Sequence, residues 1–474
     1  MNVSRLRKPA LVGPLLMMAA PFAWAQTADQ APTELDTVTV EAAPKAKKAK
    51  AKPKPTPAPQ SASVPPPADG ALDPTDLTLD GTVVTEGSGS YSAEASTIGG
   101  KLVLPLKDTP RSISVLTRKR LDDENMTSIA QAAERATGVY VRNEGDVSDG
   151  PFFYARGFTM SVSENGVPFD TTFYGPGLDT AIYDRIEVLR GPDGLMQGQG
   201  QLGGSMNLVR KAPLAAPQVK TELVAGQWGN LRSVFDISTP AANGKIRTRV
   251  VGSAETRESF VDYVGQERYL GYGIVEIDVT ERTTVTLSAM KQDNEVNPYF
   301  GALHVPGAIR DPNDPSAYIA AGEVESRGFE IEVAARPVKN WDIVAGYTYT
   351  ETEFTAGQPA EIGQRFNSFF PKHSFKLWSN YTFDGGGLLD GVALGVGVRA
   401  FSESTAAFTS PYLAEVEQPA YAVVDGRLGY ALTDSTELSL NVTNIFDEVY
   451  IPYPGVRAFY GEPRRALAKI VTTW

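Results

Sequence analysis

A glycine-rich segment flanked by two charges is the part of the chain whose residue types could do chemistry. Within residues 183–213, Glu187 and Arg190 flank a short apolar core that is strand-like, and a break at Gly191–Pro192 follows. Four glycines come next: Gly198, Gly200, Gly203 and Gly204. They do not form a phosphate loop, because no Lys-Ser/Thr pair follows them and no helical pattern opens after them. We expect them to permit tight turns and close backbone approach. Because Glu187 and Arg190 flank the strand, an acid–base role is one interpretation of the two residues.

The rest of the composition excludes several kinds of reactive site. The 474 residues include no cysteine, which removes disulfide scaffolds, thiolate metal sites and thiol catalysis and suits an oxidising compartment. The two histidines, His304 and His373, stand in unrelated contexts, so no histidine metal site or triad is predicted. The net charge is −12 without a folded basic patch, which argues against nucleic acid as a partner. No nucleophile–base or carboxylate pair stands out, so we predict no catalytic residues, no metal ligands and no cofactor.

The N-terminus has the pattern of an export signal. Arg5, Arg7 and Lys8 precede an apolar run over 10–20, and Ala23-Trp24-Ala25 is a small-residue cleavage site. We predict a signal peptide over 1–25, so that the mature chain begins near Gln26; the alternative is a short membrane anchor. No later apolar stretch reaches the roughly 18 residues that a membrane-spanning helix needs.

Residues 26–78 are predicted to be a linker. From Ala43 to Asp69 the composition shifts to Ala, Lys and Pro, whose charge repulsion and polyproline preference favour a disordered tether. The alternative for this basic tract is contact with nucleic acid or acidic lipid. Just upstream, Glu34–Val40 is a short β-prone segment in otherwise disordered sequence.

Beyond Gln218 the chain alternates apolar and polar residues with a period of two. We predict twelve strands, near 218–227, 230–239, 245–257, 266–279, 282–292, 322–336, 340–352, 371–384, 390–404, 419–432, 435–444 and 463–474. Short turns, such as Asn243-Gly244 and Thr433–Ser435, alternate with long aromatic connections, apart from a short first one at 226–230. This sorting of loops is typical of an outer-membrane β-barrel, whereas a soluble sandwich would not sort its loops by parity.

Four motifs in the order of a known family lie upstream of these strands. They are Pro105–Thr117, Ala155-Arg156-Gly157-Phe158, Asn165-Gly166-Val167-Pro168 and the segment 183–213, with a helix predicted over Ser128–Ala136. Near the C-terminus, Asn441–Asp447 and the final Trp474 fit the same family. The chain resembles the TonB-dependent siderophore receptor family of outer-membrane plug-and-barrel proteins. The implied fold is an all-β transmembrane barrel over 214–474 with an N-terminal α+β plug domain over 79–213.

The resemblance also implies a function and its residues. The family takes up ferric siderophores across the Gram-negative outer membrane, where the barrel-assembly machinery reads a terminal aromatic such as Trp474 and lipid surrounds the barrel. Iron arrives fully coordinated, so no protein metal ligand is needed.

The implied TonB box, which couples to the TonB–ExbB–ExbD complex by adding a strand, is Asp36, Thr37, Val38, Thr39 and Val40. The implied siderophore-binding residues are Phe153, Tyr154, Arg156 and Tyr174. Alternatively, Arg156 forms a structural ion pair and the aromatic residues pack the plug. Glu187 and Arg190 are implied to lock the plug to the barrel wall.

The number of strands departs from the family, whose barrels have about 22 strands. About ten central strands are missing at a junction within 306–311. A plug of ~130 residues is ~36 Å across. A closed barrel of about 12 strands has a backbone diameter of only ~24 Å, compared with ~44 Å for 22 strands. The chain is therefore an incomplete gene product, keeps its plug outside a narrow barrel, or leaves its sheet open.

We expect this 474-residue form to bind siderophore weakly or not at all and not to transport it, with Glu187 and Arg190 lacking barrel partners. The alternatives to a receptor are a surface siderophore-binding protein without transport, a passive porin-like barrel and, least favoured, an enzyme. Which siderophore is bound does not follow from the sequence.

Overall fold

A computed structural model of the chain describes most of the residues beyond Val83. The described ranges are 84–99, 103–142, 151–169, 177–192, 201–262, 264–280, 283–297, 302–303, 323–356, 362–387, 389–406, 416–454 and 457–474. All of them belong to one compact unit of the chain, residues 72–474. The predicted signal peptide, the TonB box at 36–40, the tether, Tyr174 and the junction at 306–311 lie outside the described residues.

No helix in the described ranges is long and apolar enough to cross a membrane.

The plug is a mixed sheet with two short helices. Its strands are β1 (Ala95–Ser96), β2 (Leu104–Pro105), β3 (Ser112–Leu116), β4 (Val139–Arg142), β5 (Phe152–Ala155), β6 (Phe158–Glu164), β7 (Val167–Phe169), β8 (Tyr183–Arg190) and β9 (Gly204–Arg210). Its helices are α1 (Arg118–Asp123) and α2 (Ile129–Arg135). The main sheet has the order β3-β8-β9-β6-β5-β4, with β7 paired to β6, and β6 runs parallel to β9. Strands β1 and β2 form a separate two-stranded sheet.

Local signals explain the predicted plug helix. Ser128 is the N-cap of α2, and its hydroxyl accepts a hydrogen bond from the Gln131 N–H. The helix ends before Gly138, whose φ of +66° suits a residue without a Cβ. The prediction of a helix over 128–136 is thus confirmed to within a residue at each end. Helix α1 is capped by Thr117 in the same way and was not predicted from the sequence.

Strand β8 is the centre of the plug. All eight of its residues are buried, and Ile186 and Val188 are 0% exposed. The following glycines are needed for close approach, because a Cβ on Gly204 would lie 2.1 Å from the Leu189 carbonyl oxygen and one on Gly203 would lie 2.3 Å from that of Phe158. The predicted close backbone approach is confirmed at these two positions, and the other two glycines of the run lie outside the described residues.

The remaining strands belong to the barrel domain and its loops. They are β10 (Gln218–Gly226), β11 (Leu231–Ala241), β12 (Ile246–Glu258), β13 (Gly265–Thr280), β14 (Thr283–Asn297), β15 (Ala302–Leu303), β16 (Glu323–Val338), β17 (Trp341–Ala356), β18 (His373–Thr382), β19 (Val392–Phe401), β20 (Ser404–Ala406), β21 (Val416–Gln418), β22 (Tyr421–Thr433), β23 (Thr436–Thr443), β24 (Tyr453–Pro454), β25 (Arg457–Phe459) and β26 (Arg465–Thr473). Twelve form one antiparallel sheet in the order β14-β13-β12-β11-β10-β26-β23-β22-β19-β18-β17-β16. The twelve predicted strands are confirmed.

The two faces of this sheet differ in polarity. On β16, Phe329 and Ile331 point outward and are 54% and 57% exposed, whereas Glu330 points toward the plug. On β18, Lys376 and Asn380 are buried on the inner face. The apolar outer face and polar inner face are those of a transmembrane barrel strand, and Glu330 and Lys376 have hydrogen-bond partners in the plug.

The sheet does not close in the part of the chain that is described. Strand β14 pairs with β13 alone and β16 with β17 alone, so each leaves one edge unpaired. Within the described residues the sheet is thus open, which is one of the three predicted outcomes. The expectation of a displaced plug without barrel partners is wrong. The inner face of the described sheet contacts the plug on β10, β16, β18 and β26.

Candidate ligand site and plug–barrel interface

An aromatic pocket forms where the plug meets the long connections of the barrel. Its members, which come from the plug hairpin β4–β5, the loop before β18, the end of β19 and strand β24, are Tyr140, Phe152, Tyr154, Phe369, Phe370, Phe401 and Tyr453. Long connections lie at the end of the sheet opposite the short turns, so the pocket is at the outer end of the barrel pattern. We call this group the aromatic pocket.

The rings of the pocket bridge the two domains. The centroid of Phe370 lies 4.8 Å from that of Tyr154 and 5.3 Å from that of Tyr140. The Tyr140 hydroxyl donates a hydrogen bond to the Pro371 carbonyl oxygen at 3.4 Å. Burial raises the pKa of Tyr140 to about 12, so this phenol stays neutral at physiological pH. Plug and barrel therefore build one aromatic surface together.

A cavity of about 210 Å³ continues from the pocket between plug and barrel. Tyr421 and Tyr450 line it as a stacked pair with centroids 4.7 Å apart. Arg399 also lines it, and its guanidinium lies 3.2 Å from Asp425. A concave surface of aromatic rings with a few polar groups is the usual form of a small-molecule site.

Cationic side chains lie beside the aromatic pocket in the described part of the chain. The guanidinium of Arg142 lies over the rings of Phe152 and Tyr453, at 5.2 Å and 4.9 Å from their centroids. Lys376 Nζ lies 5.9 Å from the Tyr140 centroid. Arg365 donates from Nη2 to the carbonyl oxygen of Phe370.

Two aromatic residues predicted to bind ligand have different positions. Tyr154 belongs to the aromatic pocket. Phe153, the next residue on β5, points the other way into the plug core and is 3% exposed, so it lies away from the aromatic pocket. The reason is the alternation of a strand, which places neighbouring side chains on opposite faces. Tyr140 and Phe370 were missed, since only tertiary contacts bring them to Tyr154.

Arg156 forms the ion pair that was its alternative interpretation. Its φ is +54°, and its Nη2 lies 3.1 Å from Glu330 Oε2 on β16. The Ser326 hydroxyl donates to the Arg156 carbonyl oxygen at 2.7 Å. The side chain is 40% exposed, so a ligand contact remains open to it as well.

Arg190 contacts the barrel wall and Glu187 does not. Arg190 Nε lies 3.1 Å from Glu330 Oε2, and Nη1 lies 3.7 Å from Glu332 Oε2. Glu187 is 0% exposed, and its contacts in the described ranges are with plug residues; they are Thr97, Arg185 and Asn207. The expectation that both residues lack a barrel partner in this form is wrong for Arg190, whereas Glu187 has none among the described residues, as expected. Glu187 organises the inside of the plug.

A second ionic contact between plug and barrel was not predicted. Asp179, at the start of a 3-10 helix before β8, is bound by Arg232 Nη1 and Nη2 at 2.5 and 2.7 Å and by Arg268 Nε at 3.2 Å. The Ser253 hydroxyl donates to the same carboxylate at 3.0 Å. Burial alone would raise the pKa of Asp179, but the two guanidinium groups hold it well below its usual range. No local sequence pattern marks this site, because its members are far apart in the chain.

The first described residues form a strap at the short-turn end of the sheet. The backbone N–H of Thr85 donates to the Asp184 carboxylate at 3.0 Å, and that of Glu86 does so at 2.8 Å. The Glu86 carboxylate accepts two hydrogen bonds from Arg249, at 2.7 and 2.8 Å. Burial raises the pKa of Glu86, but the positive charges of Lys211 and Arg249 lower it by a larger amount, so the net shift is downward. The strap is thus tied to both the plug and the barrel wall.

Among the described residues, no cluster of three or more His, Cys, Asp or Glu side chains has the arrangement of a metal site.

Two family models match the chain. The TonB-dependent receptor plug domain matches residues 105–205, and the TonB-dependent receptor-like β-barrel matches residues 294–445. The chain is 35% identical over 223 residues to the ferric-pyoverdine BN7/BN8 receptor of Pseudomonas putida, a match that covers 46% of this chain and 28% of that receptor. It is 36% identical over 219 residues to the ferripyoverdine receptor of Pseudomonas aeruginosa, covering 45% of this chain and 27% of that receptor. The matched part spans less than a third of these relatives.

Solved structures show the same fold. The ferripyoverdine receptor of the Pseudomonas aeruginosa outer membrane, bound to ferripyoverdine, aligns with a TM-score of 0.71 at 18% identity, covering 83% of this chain and 90% of that chain. The alcaligin outer-membrane receptor of Bordetella pertussis aligns with a TM-score of 0.62 at 17% identity, covering 83% and 100%. The plug, the barrel strands and the two family models together show that the chain belongs to the TonB-dependent receptor family, the plug-and-barrel proteins of the Gram-negative outer membrane.

Proposed function

We propose that the chain is a receptor that binds a ferric siderophore in the aromatic pocket. The observation that carries this proposal is that plug and barrel contribute rings to one concave surface at the outer end of the sheet. A ferric siderophore already has its iron coordinated, so it is recognised by shape, stacking and hydrogen bonds. Relatives named as ferric-pyoverdine and ferrioxamine B receptors support the same class of ligand.

We also propose that the receptor couples to the TonB–ExbB–ExbD complex through Asp36–Val40. A β-prone segment can add a strand to a sheet edge of its partner. Tension on that segment would reach the folded domain at the strap, where Thr85 and Glu86 are the first described residues with tertiary contacts. The contacts of Glu86 with Arg249 on β12 then oppose movement of the plug relative to the barrel wall.

A second candidate function, binding without transport, is favoured by the unpaired edges of β14 and β16 in the described sheet. Backbone N–H and C=O groups in hydrocarbon need partners, so an open edge is unfavourable at membrane depth. We therefore propose that this 474-residue form binds ligand and that energy-coupled uptake requires a closed wall. The reason differs from the one expected from sequence, because the plug retains its barrel contacts.

Binding and uptake are tested separately. Purified chain in detergent is titrated with ferric pyoverdine while tryptophan fluorescence is followed, and cells lacking other receptors are tested for uptake of radioactive iron from the same complex. Saturable binding that is lost in Phe370→Ala supports the receptor. Absence of binding contradicts it, and uptake by this chain alone contradicts the requirement for a closed wall. Steady ion conductance in planar bilayers would instead favour a passive porin-like barrel.

A further inference from the structure

The sequence contains two Asn-Gly pairs, and both lie in tight turns. Asn165-Gly166 joins β6 to β7, and Asn243-Gly244 joins β11 to β12. The two asparagines share a left-handed backbone, with φ of +48° and +58°, and the glycines that follow them have φ of +78° and +84°. Both asparagines are exposed. The two pairs therefore differ in their hydrogen bonds and not in conformation or access to water.

Strand β9 holds the first pair in place. The Asn165 N–H donates to the Leu208 carbonyl oxygen at 3.0 Å, and Asn165 Oδ1 accepts from the Arg210 N–H at 3.0 Å. The Gly166 N–H donates to Asn207 Oδ1 at 2.9 Å. The side-chain amide and the next backbone nitrogen are thus bound to different partners, and they approach each other only when these hydrogen bonds open.

The second pair lacks such partners. Within the described ranges the Asn243 side chain makes no hydrogen bond, and the 3-10 turn Ala242–Gly244 is closed locally, by the Lys245 N–H and the carbonyl oxygen of its first residue at 3.3 Å. Arg247 Nη1 donates to the Gly244 carbonyl oxygen at 2.8 Å, which does not hold the Asn243 side chain. A Cβ on Gly244 would meet no heavy atom within 4 Å. The Asn243 side chain therefore has room to turn toward the Gly244 nitrogen.

We infer that Asn243 is a modification site, at which the side-chain amide is lost spontaneously and aspartate or isoaspartate remains in the turn between β11 and β12. Glycine in the next position favours this reaction, because no Cβ crowds the attacking nitrogen. The inference does not depend on the proposed function.

The reaction needs only water as a co-reactant. The Gly244 backbone nitrogen attacks the Asn243 side-chain carbonyl carbon and forms a C–N bond, while the C–N bond of the side-chain amide breaks. The amide nitrogen leaves as ammonia together with the proton from the Gly244 nitrogen, and a succinimide ring remains. Water then adds to one of the two ring carbonyls and breaks its C–N bond, which gives isoaspartate or aspartate. Nothing is oxidised or reduced.

Both products change the turn and leave the strands paired. Each adds a negative charge two positions before Lys245, and isoaspartate also adds a methylene to the main chain. The pairing of β11 with β12 extends from Leu231↔Thr256 to Ala241↔Ile246, so the strands remain in register on either side of a distorted turn.

The experiment compares the two asparagines in the same molecule. The full chain in detergent is incubated at neutral and at mildly alkaline pH, and peptide mapping by mass spectrometry follows both sites over time. We expect Asn243 to convert at least ~tenfold faster than Asn165, because three hydrogen bonds must open before Asn165 reacts. The rate should rise with pH, since the attacking nitrogen must lose its proton. Equal rates at the two sites, or no conversion of Asn243, would overturn the inference.

Unfolding the chain separates the effect of structure from that of sequence. Both asparagines precede glycine, so we expect their rates in concentrated urea to agree within about twofold. A tenfold difference that persists in urea would trace to the neighbouring residues and overturn the structural argument.

A variant assigns the change in charge to this position. Asn243→Gly suits the left-handed backbone and removes the reacting amide. After the same incubation, isoelectric focusing should show a more acidic form of the original chain that is absent from the variant. An acidic form of equal amount in the variant would place the modification elsewhere and contradict the inference.

Discussion

Replacement of Asp179 by Asn should loosen the plug from the barrel wall. The carboxylate is 1% exposed and binds Arg232 and Arg268, whose side chains are 3% and 4% exposed. Removing one partner of a buried ion pair costs about 3–5 kcal/mol, because the remaining charge stays buried. Asn keeps an acceptor for the Ser253 hydroxyl, and Glu255 still faces both arginines, so we expect the lower end, about 3 kcal/mol.

The assay is hydrogen exchange of the amides in α2 and β8, which lie next to Asp179 in the plug. A loss of about 3 kcal/mol corresponds to roughly 100-fold faster exchange through the opened state at neutral pH. The matched control is Asp384→Asn, which removes an exposed carboxylate paired with Lys339 at 2.8 Å between two short turns of the barrel domain and should leave exchange unchanged. Exchange within twofold of the original chain would refute the reasoning.

We also expect the loss of stability caused by Asp179→Asn to depend on pH. The pKa of Asp179 is lower in the folded state than in the unfolded chain, where it is about 4. Its contribution to stability is therefore complete above that unfolded value and is lost as pH falls toward the folded one. The difference between Asp179→Asn and the original chain should be full at pH 7 and shrink progressively below about pH 4. A difference that grows as pH falls would contradict this assignment.

Three further outcomes test other parts of the structure. Phe153→Ala should lower the free energy of unfolding by about 3–5 kcal/mol with little change in siderophore affinity per folded molecule, whereas Phe370→Ala should lower that affinity; thermal melting and titration separate the two effects. Val38→Pro should abolish capture of the chain by purified TonB, since proline removes a ladder donor, and unchanged capture would mean that the segment is only tether. Glu86→Gln should lower the force at which the first rupture occurs when the N-terminus is pulled in a single-molecule experiment, and an unchanged force would exclude Arg249 as the anchor.

Glu187 and Arg190 have different contacts for a reason that their sequence neighbourhoods do not contain. Glu187 and Arg190 stand three positions apart on one strand, so their sequence contexts are alike. Arg190 sits at the end of β8, where its guanidinium reaches Glu330, while Glu187 is enclosed by Thr97, Arg185 and Asn207. Which of the two residues contacts the barrel wall depends on the side chains that pack around each of them in the folded plug. Phe153 and Tyr154 were separated in the same manner, by the face of β5 on which each lies.

The sequence by itself determined the strands, the helix start at Ser128 and the turns. These features depend on neighbours in the chain: alternation sorts side chains to two faces, and Ser128 caps a helix within three residues. Only the tertiary structure decided the partners of Asp179 and Arg190, the membership of the aromatic pocket and the open edges of the sheet. Arg190 and Glu330 are 140 positions apart, and nothing in either neighbourhood specifies the other. Such contacts form only when the polar inner face of the sheet and the plug satisfy each other's buried charges, which is a property of the packed chain.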